Sequence, residues 1–158
     1  MPDKSIRPRA RRAAVLATAV LTLLMAGTTR ADDALNLAAL RGKVVYVDFW
    51  ASWCGPCRKS FPWMDSAQRA YADRGLVVIA VNLDQEHGLA QAFLREFNPQ
   101  FRIAFDPAGA LAEQYEVTGM PSSFLVDRRG TVRYRHVGFR DETPAALDSE
   151  LRTLLAEQ

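Results

Sequence analysis

Cysteine is scarce in this chain, with Cys54 and Cys57 its only two among 158 residues. A domain stapled by several disulfides is therefore excluded, and a single bridge is the most the chain can form. Histidine is as scarce, His87 and His136 being the only two. An excess of one charge is missing too: Lys plus Arg (20) against Asp plus Glu (18) gives +2. Six of those cations and one anion fall within residues 1–31, so the remainder holds 14 against 17 and sits at −3. A nucleic-acid binder needs its basic excess on the folded body, so no nucleic-acid partner is expected. Gly (9) and Pro (8) are too few for a fibre or a flexible linker, and 49% apolar residues are enough for one packed core.

A long hydrophobic run is also lacking. Residues 13–27 are fifteen uncharged residues rich in Ala and Leu, short of the roughly 18–20 that cross a bilayer comfortably. They follow a basic stretch and precede small residues at Thr29 and Ala31, the layout of a secretory signal with cleavage after Ala31. The expectation is a signal peptide or N-terminal membrane anchor over 1–31, anchored if at all through 13–27, and one domain over 32–158. Either form places that domain in the periplasm or on another extracytoplasmic face.

Beyond residue 32 the pattern alternates. Residues 43–50 (KVVYVDFW) are apolar and β-branched, which suits a strand buried on both faces. Residues 54–74 carry Phe61, Met64, Ala67 and Tyr71 near helical spacing, with a kink expected at Pro62 and an end at Gly75. A second buried strand follows over 76–83, implying a parallel pair with a crossover helix. Residues 87–97 predict a helix with Leu89, Ala92, Phe93 and Phe97 on its buried face, stopped at Asn98-Pro99. A short strand over 101–105 and a short helix over 108–115 come next. Strands over 122–127 and 131–137 form a hairpin through Arg128, Arg129 and Gly130. Thr143 caps a final helix with Pro144 at its first position, and Leu147, Leu151, Leu154 and Leu155 repeat along it. The fold class is α/β, a central mixed sheet flanked by helices.

The chemistry concentrates in Trp53-Cys54-Gly55-Pro56-Cys57, where a buried strand gives way to a helix. A Cys54 sulfur at the first helical position faces unpaired N–H groups and the positive end of the helix dipole, which favour thiolate. Cys54 is thus the expected nucleophile. Cys57, one turn deeper, suits the resolving role, while Gly55 permits close backbone approach and Pro56 fixes a helical φ without needing an N–H. The same spacing serves half of a zinc site, but His87 and His136 would have to complete it, and they flank no second cysteine pair. Asp48 interrupts an otherwise apolar strand; burial there would raise its pKa and poise it to accept the Cys57 proton, whereas at a solvent-facing strand end it would do neither. Trp53 is expected to cover the cysteine pair and, with Pro56, Met120 and Pro121, to offer an apolar docking patch. Trp50, Phe49 and Phe124 are expected in the core, and His87 and His136 on the surface.

The segment VDFWASWCGPCRKSFP resembles the active-site stretch of the thioredoxin superfamily, and GMPSSFLVD resembles its cis-proline loop. The signal-like start, the FWASWC approach and an extra helix and strand between residues 84 and 115 bring it closer to the TlpA-like, ResA-like extracytoplasmic branch. The resemblance implies a thioredoxin-like fold, a cis Pro121 facing the cysteine pair, and a Met120 backbone that pairs with an extended substrate segment. It also exposes two departures. That branch commonly has Glu three residues after the second Cys, where this chain has Ser60; thioredoxin has a buried carboxylate six residues before the first Cys, here Asp48. Proton transfer is therefore expected to have moved to Asp48.

The implied function is thiol:disulfide exchange through a redox-active Cys54–Cys57 pair, reducing disulfide-bearing client proteins. No metal or organic cofactor is expected, because the pair holds both electrons. With no third cysteine or nucleotide motif, the chain needs a membrane electron donor for re-reduction. Resemblance to the branch points to clients in cytochrome c or copper-centre assembly. Two alternatives stay open: a disulfide-forming oxidant or isomerase, and a copper(I)-binding module on the same scaffold.

Overall fold

A computed structural model describes residues 35–157. The expected signal or anchor over 1–31, with its apolar run at 13–27, lies outside the described residues. A 3-10 helix, Leu37–Leu40, leads into strand β1 (Val44–Trp50), and helix α1 (Gly55–Tyr71) follows with a 3-10 turn at Ala72–Arg74. Next come β2 (Leu76–Asn82), α2 (His87–Phe97), β3 (Arg102–Phe105), α3 (Ala110–Gln114), the hairpin β4 (Ser122–Val126) and β5 (Val132–Val137), and α4 (Thr143–Ala156). The strands form one mixed sheet in the order β3-β2-β1-β4-β5. β1 pairs parallel with β2 and β2 with β3, while β4 runs antiparallel to both β1 and β5.

β1 lies at the centre because every one of its seven residues can be buried. Its side chains alternate between two cores. Val44, Tyr46 and Trp50 pack beneath α1, α2 and α4, against Phe61, Met64, Phe93, Leu147 and Leu151. Val45, Val47 and Phe49 face the other way, toward Leu37, Leu40, Leu111 and Phe124. The first core is aromatic around the start of α1: Trp50 and Phe61 have ring centroids 4.7 Å apart, and Phe93 is 4.7 Å from Trp50. These contacts seat α1 over the end of β1, where the cysteines lie. Trp50, Phe49 and Phe124 are in the core as expected.

Two expectations about helices need correction. α2 buries Ala90 and Phe93 with Leu94 and Phe97 packed alongside, while Leu89 and Ala92 are exposed. The i, i+3, i+4, i+7 set beginning at Ala90 wins because Phe93 must meet Trp50 and Phe61. Thr143 is also not the cap of α4. It is the first helical residue, and its hydroxyl accepts the Arg140 N–H at 2.9 Å, closing the turn before the helix instead. Pro144 is therefore the second helical residue and not the first, while Leu147, Leu151, Leu154 and Leu155 are all buried as the repeat requires. α1 continues as one helix through Pro62.

Candidate active site

The chain leaves β1 at Trp50 and reaches Cys54 through a short turn in which the Cys54 N–H donates to the Ala51 carbonyl at 3.1 Å. This turn is held from β2. The Leu83 N–H donates to the Trp50 carbonyl at 2.9 Å. The Asp84 carboxylate accepts the Ser52 N–H and the Ser52 hydroxyl, each at 2.9 Å, and the Asn82 side-chain amide at 2.7 Å. Asp84 and Asn82 are both buried, so these bonds form away from competing water. Ser52, Asn82 and Asp84 were not among the residues singled out from sequence. The signal available was the polar pair closing an apolar strand, Asn82 and Asp84, at the carboxyl end of a parallel strand where sites on such sheets gather.

Cys54 is not the first helical residue but the N-cap just before it, with extended backbone (φ −80, ψ 104). Gly55 and Pro56 open the helix, and Pro56 has no N–H to satisfy. The Cys57 N–H reaches back to the cap, donating to the Cys54 carbonyl at 3.2 Å and to the Cys54 sulfur at 3.3 Å. An N-cap sulfur receives both that hydrogen bond and the positive end of the helix dipole, and both favour its anion. In this structure the two sulfurs are bonded to each other, across a Cα–Cα distance of 5.3 Å. Cys57 is fully buried and Cys54 is 4% exposed.

Cys54 opens onto a groove of about 560 Å³. Trp53, Gly55 and Pro56 line it from the cysteine loop, and Thr118, Gly119 and Met120 line it from the segment before β4, together with Leu83, Ala112 and Val117. The Met120–Pro121 peptide bond is cis. Pro121 is buried and is not among the groove-lining residues, so the expected apolar patch is made by Trp53, Pro56 and Met120 without it. Trp53 is 70% exposed and stands at the rim of the groove that Cys54 lines. Gly119 is fixed by the Ser122 hydroxyl, which donates to its carbonyl at 2.7 Å. The Val137 side chain would lie 3.3 Å from a Cβ at Gly119, leaving little room for a larger residue.

Asp48 is 1% exposed, with its side chain on the sheet face that carries α1. Burial pushes its carboxyl well above the usual carboxylate range, opposed by the hydrogen bond from Tyr46. That bond, from the Tyr46 hydroxyl to Oδ1, is 3.5 Å long, and Oδ2 has no partner. The alternative of Asp48 at a solvent-facing strand end is overturned by this burial. Ser60 is also buried, its hydroxyl donating to the Cys57 carbonyl at 3.1 Å. His87 is exposed and packs edge-on against Phe105, while His136 is half-buried with Nε2 2.7 Å from Glu150 Oε2. Among the described residues no three His, Cys, Asp or Glu side chains are grouped as a metal site requires, so the histidines do not complete a set with the cysteines.

The Redoxin family model matches residues 17–155. Thiol-disulfide oxidoreductase ResA of Bacillus cereus is 30% identical over 120 residues, which are 76% of this chain and 68% of that protein. Among solved structures, a protein of Chlorobium tepidum assigned as thiol:disulfide interchange protein DsbE superposes with a TM-score of 0.74 at 50% identity, covering 76% of this chain and 85% of that one. StoA from Bacillus subtilis superposes with a TM-score of 0.60 at 28% identity, covering 69% of this chain and 82% of its own.

Proposed function

This chain belongs to the Redoxin family as a ResA- and TlpA-like thiol:disulfide oxidoreductase of the thioredoxin superfamily, and from that premise we propose that it reduces client-protein disulfides outside the cytoplasm. The observation that carries the assignment of roles is the Cys54 sulfur capping α1 and accepting the Cys57 N–H at the edge of an apolar groove. Client polypeptide lies in that groove, against Trp53, Gly55, Pro56, Met120 and the cis Pro121 loop.

The Cys54 thiolate attacks one sulfur of a client disulfide, forming a Cys54–client bond and releasing the other client sulfur as thiolate. Cys57 then gives its proton to Asp48 and attacks the Cys54 sulfur. The mixed disulfide breaks, the second client sulfur leaves, and the protein is left with the Cys54–Cys57 bridge. Two electrons have passed to the client, and the pair itself carries them, so the cycle uses no metal or organic cofactor. Burial of Cys57 keeps it from attacking clients, while Asp48 is a poised base because its ionised form is disfavoured by burial.

The extracytoplasmic assignment rests on the basic and apolar sequence of residues 1–31, read as a signal peptide or as an anchor through 13–27. Re-reduction in an oxidising compartment then calls for a membrane electron donor. Clients in cytochrome c or copper-centre assembly follow from the TlpA-like resemblance. The direction of electron flow is tested by equilibrating the pair with glutathione buffers. A potential near the roughly −270 mV of thioredoxin supports the reductase; one near the roughly −120 mV of a strong oxidant assigns it instead to disulfide formation.

A further inference from the structure

Asp48 lies in a row of polar side chains that crosses the sheet. In the β1/β4 pairing Asp48 stands opposite Ser123, and in the β4/β5 pairing Ser123 stands opposite His136. Residues directly opposite on neighbouring strands share a face, so all three point to the side packed by α1 and α4. Tyr46, two residues before Asp48, shares that face; its hydroxyl donates to Asp48 Oδ1, and the Ser123 hydroxyl faces the phenol closely enough to act on it. From α4, Glu150 is close enough to act on the Tyr46 phenol and holds His136 at 2.7 Å.

The row runs from dry to wet. Tyr46 and Asp48 are each 1% exposed and Ser123 is 4% exposed. The His136 and Glu150 side chains are 25% and 21% exposed. His136 also borders a cleft of about 220 Å³ between the end of β5 and the start of α4, shared with Gly138, Arg140, Glu142 and Thr143. An apolar core needs none of these groups there, and a buried polar row at one register is costly unless it is used or fully bonded.

We propose that Tyr46, Ser123, His136 and Glu150 form the route by which Asp48 exchanges its proton with solvent. The inference rests on Asp48 being the proton partner of Cys57. Burial favours the protonated carboxyl, so before each closure Asp48 must give up a proton to solvent in order to take the one that Cys57 releases. The Asp48 carboxyl hands a proton to the Tyr46 oxygen as Tyr46 hands its own to Ser123, and Ser123 passes one to the His136–Glu150 pair, which releases it into the cleft. One proton moves outward, no bond between heavy atoms changes, and no electron is transferred. Burial, then the Asp48 carboxylate, raises the Tyr46 phenol well above its ordinary range, with Glu150 adding to the rise. Stepwise ionisation of the row is therefore disfavoured, and transfer between neutral hydroxyls is the cheaper path. His136 is faced by Ser123 from β4 and Glu150 from α4, and it shares its cleft with Arg140 and Glu142.

The test follows closure of the Cys54–Cys57 disulfide by stopped flow, using reduced full-length protein and a disulfide-bonded peptide across neutral pH. His136→Gln is expected to slow closure by roughly tenfold, less than the about 10²–10⁴-fold of a group acting in the transition state itself. Added imidazole, small enough for the cleft, should restore the rate, and the solvent deuterium isotope effect should rise in the unrescued variant. Glu150→Gln, which keeps the side-chain shape but cannot take up the proton, should slow closure as well. Asp48→Asn should be slow and indifferent to imidazole. If His136→Gln and Glu150→Gln match the parent while Asp48→Asn is slow, the route is refuted and the role of Asp48 survives. If His136→Gln is slow yet unmoved by imidazole, with the parental isotope effect, its role is structural and the proposal is overturned. If Asp48→Asn is as fast as the parent, the underlying reading falls, and the route with it.

Discussion

The carboxylate of Asp84 grips Ser52 twice, accepting its N–H and its hydroxyl at 2.9 Å each across 32 residues of sequence. Ser52 is two residues before Cys54, so this grip holds the turn that leads into the cap of α1. Asp84→Ala would strand the Ser52 N–H and the Asn82 amide, a loss of about 2–3 kcal/mol. Ser52→Ala removes only the hydroxyl and should cost about 1 kcal/mol. Urea denaturation of both variants and their double mutant should show non-additive losses, as expected for residues in direct contact. Strict additivity would mean that the two groups do not support each other.

Arg128 plays a comparable part at the opposite end of the sheet. Its guanidinium donates to the carbonyls of Gly42 (2.6 Å), Arg74 (3.2 Å), Leu155 (3.2 Å) and Glu157 (3.0 Å). Two of these lie at the end of α4, one closes the turn after α1, and one precedes β1, so a single fork joins three segments. Arg128→Ala should lower stability by about 2 kcal/mol, seen as a lower urea midpoint at unchanged slope. Arg128→Lys should recover less than half of that, because an ammonium cannot reproduce the planar fork. A midpoint equal to the parent's in both variants would contradict the assignment.

Asp48 and Asp127 should give pH dependences of opposite sign. Burial holds the Asp48 carboxyl above its unfolded value, so above the ordinary carboxylate range the folded state binds more protons than the unfolded one. Stability from this group then declines as pH rises from the unfolded pKa to the folded one. Asp48→Asn should accordingly be more stable than the parent at neutral pH, with the gain vanishing in mild acid. At Asp127 burial raises the carboxyl, but hydrogen bonds from the Thr131 N–H, Arg133 and the Arg129 N–H outweigh it and leave the pKa lowered. Its contribution is present above the unfolded pKa and is lost as pH falls through the folded one. Thermal melts of Asp48→Asn and Asp127→Asn at several pH values separate the two. A destabilised Asp48→Asn at neutral pH would show that the buried carboxyl is not strained by its surroundings.

Much of this molecule was legible in residue order because local and global preferences agree. The apolar run of β1, broken only at Asp48, the leucine repeat of α4 and the Arg-Arg-Gly turn between β4 and β5 each allow one structure, and each formed it. α2 was harder: Leu89, Ala90, Ala92, Phe93, Leu94 and Phe97 offer two overlapping apolar faces, and only the rings of Trp50 and Phe61 select between them. The CGPC segment announced the chemistry, yet the polar residues around it were hidden. Asp84 reaches Ser52 from another strand, and Ser123 meets Asp48 only through strand register. Such pairings depend on topology, which no window of sequence contains.

The central claim is that the cap of α1 makes Cys54 the reactive thiolate while Cys57 waits behind it. Alkylation of the fully reduced protein with iodoacetamide, followed across pH with peptide mapping of each cysteine, measures this directly. Cys54 should react with an apparent pKa clearly below the roughly 8.5 of free cysteine, and Cys57 should stay largely unmodified. Equal modification of both thiols, or a Cys54 that titrates like free cysteine, would contradict the account.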